Sequence, residues 1–491
     1  MNLLLNIISF AINLAISFLL TPYLIRTVGI EAYGFFPLAN SVFSYAQVFT
    51  AAFSTMAVRF VMVSVHSGDE DSAAKYFNTA VVTNFVVAGA LTLLFSIALI
   101  YIEHWLSIPA SLLEDVQILF ATVLLSVTLS IAFDTFGYGT MVHDKMDLLA
   151  IRTLVGNIVR VGAIVLLFNL FSTNIRYVGV AAFISAILTA TINLYFKHSL
   201  LPVPQVNLLR FDFAKLREVA SSGLYSSINR LGIIIRSQLD ILLVNLFFSA
   251  SVMGDFSIAK TIPIIIASFT GTVVVVFVPE FTYLYARGES QKLQGRIRRS
   301  MDIMTLLLNV PIGVLIVFAG EFFSLWTPQR NSDFLYTLSI LSILQIVVSG
   351  SINPLFNVYS VTNRVRVPAI VTLLFALIGS LVMVVLLLTT DIGIWIIPTV
   401  SIATVVIRDL GFTIPYSARC LNLPPGTFYP QVLKGGLVVC VTIAIGYGVK
   451  STVMPMCDLS WLTLGACFAV TALPSMALFA MLWRKSLWRH T

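Results

Sequence analysis

Residues 367–389, VPAIVTLLFALIGSLVMVVLLLT, form a continuous apolar run without a charged side chain. An α-helix rises about 1.5 Å per residue, so about 20 such residues cross the roughly 30 Å hydrocarbon core of a bilayer. Similar runs recur along the whole chain, and none shows the alternating pattern of a membrane-spanning strand. The sequence therefore predicts an all-α polytopic membrane protein.

The composition of the chain agrees with this interpretation. Apolar residues make up 58% of the 491 residues and charged residues 10%, whereas soluble domains contain about 25% charged residues. The chain has no Walker A loop, and its 4 cysteines show no metal-ligand or disulfide spacing. We therefore expect no enzymatic activity, no cofactor and no metal. The net charge of +7 is assigned to loops at the membrane surface rather than to nucleic-acid binding.

The hydropathy profile predicts fourteen transmembrane helices. Lys and Arg, with Arg152 among them, concentrate in alternate loops, and only Arg26, Arg176, Arg330 and Lys450 fall on the other side. Because cytoplasmic loops collect basic residues, both termini are predicted to be cytoplasmic. The predicted spans are 3–24, 34–64, 77–102, 113–141, 150–170, 176–196, 220–247, 252–285, 299–321, 334–360, 366–389, 392–416, 433–450 and 460–483.

A short internal repeat relates the two halves of the chain. Residues 34–42, GFFPLANSV, match residues 254–262, GDFSIAKTI, at a shift of 220 residues, and the same shift places Gly68 on Gly288. The shift pairs helices that are six spans apart, so the two halves cross in the same direction, as in the parallel repeats of transporters. We predict two parallel-repeat six-helix lobes around a central cationic cavity, plus two extra C-terminal helices. The predicted parts are an N-lobe 1–196, a cytoplasmic linker 197–219, a C-lobe 220–416, and 417–491 with helices 13–14 and the cytoplasmic C-terminus.

The end of the first predicted helix carries a motif-like stretch, PYLIRTVGIEAYG, at residues 22–34. With it, the chain resembles the polysaccharide transport family of the multidrug/oligosaccharidyl-lipid/polysaccharide flippase superfamily, and its Wzx-type O-antigen and exopolysaccharide flippases in particular. The resemblance implies a polyprenyl-diphosphate-linked oligosaccharide as substrate, moved by alternating access from the cytoplasmic to the outer leaflet of a bacterial cytoplasmic (inner) membrane. It implies membrane lipid, and a polysaccharide polymerase machinery as a further candidate, as partners.

Charged side chains inside the predicted spans are the candidate functional residues, because each costs about 2.5–3.5 kcal/mol at the bilayer centre unless it faces water, a partner or a ligand. The planar guanidinium of arginine suits a diphosphate, since it can bind two phosphate oxygens at once. Residues 26–29, RTVG, resemble the RxxG motif of the related lipid II flippases. This resemblance implies that Arg26 contacts the headgroup. The candidate substrate-binding residues are Arg26, Arg59, Arg160, Arg230, Lys260 and Arg408; the candidates for ion coupling or gating are Arg236, Asp240 and Asp134.

Several of these residues also have a purely structural interpretation. Arg236 and Asp240 are spaced i, i+4 and can form an intrahelical ion pair. Arg59 and Arg408 lie near the cytoplasmic ends of their helices and can extend to the interface. Arg408 and its neighbour Asp409 point about 100° apart on a regular helix, so we expect them to need separate partners.

The fold leaves other functions open, because fold does not determine function. One alternative is a cation-coupled multidrug exporter, and another is a lipid II-type peptidoglycan precursor flippase. A third is a membrane scaffold for glycosyltransferases that transports nothing. The intramembrane charges argue against a scaffold, because each charge costs free energy in the bilayer. The sequence does not identify the glycan, the energy source (membrane potential, proton or sodium), the oligomeric state or the envelope type.

Overall fold

The computed structural model describes residues 2–201, 206–207 and 210–483 of the chain. Part of the predicted linker, and the predicted cytoplasmic C-terminus beyond residue 483, lie outside the described residues. Every regular element in the described part is helical, which confirms the all-α prediction. The chain divides into two compact units, Met1–Gly254 and Asp255–Thr491.

The helices of the first unit are numbered in chain order, and the last of them packs against α2, α3 and α4. They are α1 (Asn2–Val28), α2 (Ile30–Ser44), α3 (Gln47–His66), α4 (Glu70–Ile100), α5 (Ile102–Trp105), α6 (Leu113–Phe133), α7 (Tyr138–Val142), α8 (Met146–Leu170), α9 (Arg176–Leu200) and α10 (Phe213–Phe247).

The helices of the second unit follow, although the first of them begins in the first unit. They are α11 (Ala250–Val274), α12 (Val278–Ala286), α13 (Ser290–Trp326), α14 (Ser332–Ile352), α15 (Pro354–Val361), α16 (Arg366–Thr389), α17 (Ile396–Arg408), α18 (Ile414–Cys420), α19 (Tyr429–Val453) and α20 (Trp461–Leu482).

Within the described part, 12 helical stretches are long and apolar enough to cross a membrane, so this is a multi-pass membrane protein. The predicted spans 34–64 and 220–247 are not among them. The first is interrupted at residues 45–46, between α2 and α3, and the second lies in α10, which carries several charged side chains. The total of fourteen spans stays a prediction.

Several membrane helices are broken rather than continuous. A 3₁₀ turn, Asp134–Gly137, separates α6 from α7, and a π-helical turn, Asp409–Thr413, separates α17 from α18. In the second unit, α12, α15 and α18 each have a proline in the first turn, where the missing N–H costs nothing. Such interruptions release backbone groups and often mark functional positions in membrane proteins.

The shift of 220 residues recurs in the positions of the helices. Gly68 and Gly288 both adopt positive φ, 75° and 69°, which glycine accepts without a steric penalty. Asp69, directly after the first of these, caps α4 by accepting the N–H of Ser72 at 3.0 Å, and this bond holds the pKa of Asp69 below its ordinary value. Four pairs of helices begin 220 residues apart: α2 and α11, α4 and α13, α8 and α16, and α9 and α17.

Small residues let α2 approach the start of α11 closely inside the first unit. A Cβ atom added to Gly34 would lie 3.0 Å from the backbone nitrogen of Gly254. A Cβ added to Gly254 would lie 2.5 Å from the carbonyl oxygen of Ile30. The two glycines that meet here are the same residues that the 220-residue shift superimposes.

The helices α19 and α20 both pack against α13 in the second unit. Ion pairs connect α19 to α13 near both ends: Lys434 Nζ lies 3.1 Å from Asp302 Oδ1, and Lys450 Nζ lies 2.6 Å from Glu321 Oε1. These contacts fix the register of α19, the first helix of the pair predicted as an addition to the second lobe, against α13.

Candidate functional site

Arg160 on α8 is a charge inside a membrane helix. Its guanidinium lies over the ring of Phe36 on α2, with 4.7 Å between Cζ and the ring centroid. The Nε atom is shielded from solvent and has no hydrogen-bond partner among the described residues. No carboxylate in the described part of the chain interacts with this side chain. Because arginine stays protonated in proteins, its positive charge is uncompensated by the described residues of the first unit.

Three further candidate arginines of the first unit, Arg26, Arg59 and Arg230, are exposed. None of them forms an ion pair or a hydrogen bond with another described residue. The helix that carries Arg230, α10, packs against α3, which carries Arg59. The structure therefore leaves these guanidinium groups available to a ligand, and their role in binding stays a prediction.

Asp240 on α10 is buried, with 8% of its surface exposed. Tyr45, at the interruption between α2 and α3, lies close enough to interact electrostatically with this carboxylate. Nearby, the hydroxyl of Ser41 donates to Gln238 Oε1 at 2.7 Å and joins α2 to α10. The pairing of Arg236 with Asp240 stays a prediction.

Asp134 opens the 3₁₀ turn after α6 and faces a cavity of about 330 Å³ inside the first unit. Arg152 on α8 faces the same cavity and interacts electrostatically with that carboxylate. Its Nη1 atom also donates to Asn193 Oδ1 on α9 at 2.6 Å. From the sequence, Arg152 is assigned to the cytoplasmic basic residues and is not among the candidates. Its position in the first turn of the predicted span 150–170 was the available signal.

Arg408 and Asp409 form a buried ion pair in the second unit, with 6% and 0% of their surfaces exposed. Arg408 Nη2 lies 2.7 Å from Asp409 Oδ1, and Nε donates to the same oxygen at 2.9 Å. The expectation that the two residues need separate partners is therefore wrong. The reason is local, because the wider π-helical turn that begins at Asp409 changes the directions of these side chains.

Two further charged residues of the second unit, Lys260 and Arg330, have local contacts. Lys260 Nζ lies 5.5 Å from the ring centroid of Phe256, one turn earlier on α11. Arg330 binds Asp255, with 2.7 Å between Nε and Oδ1. Among the described residues, no group of three His, Cys, Asp or Glu side chains could hold a metal ion.

A comparison with protein families decides the identity of the chain at the family level. The family model described as "Polysaccharide biosynthesis protein" matches residues 1–284, more than half of the sequence. The chain belongs to this family. The resemblance found at residues 22–34 is thereby confirmed.

A curated relative of this polysaccharide biosynthesis protein spans almost the same length. The chain is 28% identical over 473 residues to the "Uncharacterized membrane protein EpsK" of Bacillus subtilis (strain 168). The match covers 95% of this chain and 93% of that protein.

Solved structures share the fold at low sequence identity. "Lipid II flippase MurJ, inward closed conformation" matches with a TM-score of 0.68 and 13% identity, over 98% of each chain. An inward-facing multidrug resistance MATE family transporter of the MOP superfamily matches with a TM-score of 0.61 and 13% identity, over 88% of this chain and 94% of that one. A MOP superfamily transporter from Pyrococcus furiosus matches with a TM-score of 0.62 and 11% identity, over 90% and 96%. The protein thus belongs to the polysaccharide biosynthesis family and shares its fold with MOP superfamily transporters.

Proposed function

We propose that this protein is a flippase for a polyprenyl-diphosphate-linked oligosaccharide, such as an O-antigen or exopolysaccharide repeat unit. It moves the headgroup from the cytoplasmic to the outer leaflet of the bacterial cytoplasmic membrane by alternating access between two lobes. The observation that carries this proposal is Arg160, a guanidinium within a membrane helix that has no carboxylate partner among the described residues.

An uncompensated charge inside the membrane indicates a ligand of the opposite sign. Burying a guanidinium without a counter-charge is costly, and the ring of Phe36 offsets only about 0.5–2 kcal/mol of that cost. A diphosphate supplies both negative charge and acceptor oxygens for the free Nε–H of Arg160. A cationic drug supplies neither, which favours the flippase over a multidrug exporter.

The other predicted contacts take part in the same scheme. Arg26, Arg59 and Arg230 are exposed and receive the headgroup, while Lys260 and Arg408 belong to the predicted C-lobe. The membrane potential, negative inside, favours export of the anionic headgroup by about 2.3 kcal/mol per charge per 100 mV. Coupling to protons or sodium through Asp240, with Arg236 and Asp134 in gating roles, is the competing energy source.

Reconstitution into liposomes tests this proposal. The protein is inserted into vesicles that contain a polyprenyl-diphosphate oligosaccharide, and the appearance of headgroups on the opposite face is followed with and without an imposed potential. We expect Arg160→Gln to slow translocation at least about tenfold, because a hydrogen bond to a charged group contributes about 1.5–3 kcal/mol. Arg176→Gln is the matched control, since Arg176 already has Asp115 as a partner at 3.5 Å.

Two results would contradict the proposal at different levels. If the wild-type protein translocates no glycolipid but takes up a soluble organic cation, the protein is an exporter. If Arg160→Gln and Arg230→Ala both translocate at the wild-type rate, the protein is a flippase whose headgroup contacts lie elsewhere.

A further inference from the structure

The cavity of the first unit differs in chemistry from the cationic positions described above. It lies between α3, the broken helix α6–α7, and α8, and it has a volume of about 330 Å³. Its apolar wall includes Ile131 and Met141. Its polar wall includes Gln47, Thr50, Ser54, Asp134, Tyr138 and Arg152.

The two charges on the polar wall have opposite signs. The carboxylate of Asp134 and the guanidinium of Arg152 interact with one another, so the cavity has no net charge. A phosphate would meet the carboxylate, and an organic cation would meet the guanidinium. The charge distribution therefore favours an uncharged, polar ligand over either ion.

Hydrogen-bonding capacity at the polar wall is left unused by the protein. The phenolic oxygen of Tyr138 is buried, and no described group meets it at hydrogen-bonding geometry, although the hydroxyls of Ser54 and Thr135 lie near it. The Nε atom of Arg152 is likewise buried without a hydrogen-bond partner among the described residues. A carboxylate only accepts hydrogen bonds and a guanidinium only donates them, so the wall offers both functions to a ligand.

Other residues already stabilise the turn that positions this wall. Asn84 Nδ2 donates to Thr135 Oγ1 at 2.8 Å, and Asn193 Nδ2 donates to the carbonyl oxygen of Phe133 at 3.1 Å. These bonds hold the 3₁₀ turn without the carboxylate of Asp134 or the hydroxyl of Tyr138. Neither group is therefore needed to hold the turn, and both face the cavity.

We propose that this cavity binds one sugar residue of the lipid-linked headgroup. A sugar is uncharged, and each hydroxyl both donates and accepts, which matches the acceptor Asp134 and the donors Arg152 and Tyr138. The apolar C–H face of the ring packs against Ile131 and Met141. The volume is at the lower limit of the roughly 300–1,000 Å³ that small-molecule sites occupy, so it fits one sugar and not a whole oligosaccharide. This inference rests on the proposed function.

A binding experiment separates the sugar site from the diphosphate site. The full-length protein in nanodiscs is titrated with bare polyprenyl diphosphate and with polyprenyl diphosphates that carry a single N-acetylglucosamine, glucose or galactose. We expect at least one sugar-bearing lipid to bind about tenfold more tightly than the bare lipid. Tyr138→Phe should reduce this ratio severalfold and leave the affinity for the bare lipid within about twofold. Asp134→Asn should also reduce the ratio severalfold, although the charge of Arg152 that it leaves uncompensated raises the affinity for the anionic bare lipid.

Two variants control for damage to the fold. Tyr138→Phe removes only a hydroxyl without a hydrogen-bond partner among the described residues, so it should not lower the melting temperature. Asp144→Asn is the matched charge control, because Asp144 is exposed in the turn before α8 and its φ of 53° suits asparagine equally well.

The outcomes distinguish this inference from the proposed function. If the bare lipid binds but no sugar increases the affinity, the cavity is not a sugar site and the diphosphate proposal stands. If neither kind of lipid binds, the proposed function fails, and the sugar inference fails with it. If the sugar increment survives in both cavity variants, the sugar is bound elsewhere.

Discussion

At the residue scale, the Arg408–Asp409 pair shows how a local backbone change determines a contact. Thr413 Oγ1 also donates to Asp409 Oδ1, at 3.0 Å across the π-helical turn. The second carboxylate oxygen, Oδ2, is buried without a hydrogen-bond partner among the described residues. Arg408 further lies over the ring of Phe356, 5.7 Å from its centroid. A pair held on several sides in this way depends on both partners.

We predict that Asp409→Leu destabilises the protein by about 3–5 kcal/mol, because it leaves the charge of Arg408 buried and unpaired. The double variant Arg408→Met with Asp409→Leu should recover most of that loss, since an apolar replacement of both partners is often neutral. Denaturant unfolding of the purified protein measures both. A double variant as unstable as the single one would show that the ion pair itself stabilises this turn.

The same double variant also tests the predicted binding role of Arg408. If it is stable and translocates the glycolipid, the arginine has a structural role. If it is stable but translocation is lost, Arg408 contacts the headgroup or gates its passage.

The sequence identified which residue types are important, but not all of their partners. Asp134 and Arg408 could be found because a charge in an apolar run is conspicuous. The partner of Asp134 could not, since Arg152 is 18 positions away in the sequence and reaches it only through helix packing. The Arg408–Asp409 contact lies at a π-helical turn, for which the sequence contains no signal.

At the scale of elements, the close approach of α2 to α11 depends on Gly34 and Gly254. A methyl group on Gly254 would lie 2.5 Å from the backbone oxygen of Ile30, far closer than normal contact. Backbone atoms cannot move aside as the end of a side chain can. This contact therefore requires a small residue, and the requirement comes from packing rather than from a turn.

We predict that Gly254→Ala lowers the free energy of unfolding by about 1–3 kcal/mol, the usual cost of overpacking. Gly271→Ala is the matched control on the same helix, because no heavy atom of the described chain lies within 4 Å of its added methyl group. That control should be neutral or stabilising by up to about 1 kcal/mol, since alanine favours helices. Thermal unfolding compares the two, and equal melting temperatures would contradict the packing argument.

Element boundaries could be predicted well where composition changes abruptly. The predicted span 366–389 coincides with α16 at both ends. The predicted span 34–64 hides an interruption at residues 45–46, because both parts are apolar and neither contains a strong breaker there. Hydropathy reports whether a segment prefers lipid, and it is insensitive to how the backbone turns inside it.

At the scale of the whole molecule, the predicted orientation can be tested with the protein's own cysteines. Cys457 is exposed in the loop between α19 and α20, whereas Cys420 and Cys467 are buried. Cys440 is exposed in the middle of α19, where lipid suppresses formation of the reactive thiolate. Cytoplasmic termini would put the loop with Cys457 on the outside.

We predict that a membrane-impermeant maleimide labels Cys457 in intact spheroplasts but not in inside-out vesicles. Cys457→Ser should abolish the signal, which shows that the other cysteines do not contribute. Labelling confined to inside-out vesicles would reverse the predicted orientation and place both termini outside.

The fold class followed from the sequence because a bilayer permits so few backbone solutions. The nine-residue match at 34–42 and 254–262 pointed to a repeat that the helix starts extend through four helix pairs. The arrangement of lobes and the total of fourteen helices remain predictions. Hydropathy could not show that α10 packs on α2, α3 and α4 within the first compact unit.

That membership of α10 has a consequence for biosynthesis. The unit that ends at Gly254 cannot complete its packing when residue 196 leaves the ribosome, although six predicted spans have then been made. The last helix of this unit, α10, can pack against α2 and α3 only after it has emerged from the ribosome. A nascent chain that pauses between residues 196 and 254 leaves the surfaces of α2 and α3 that α10 covers exposed. Such a chain is a substrate for quality-control proteases.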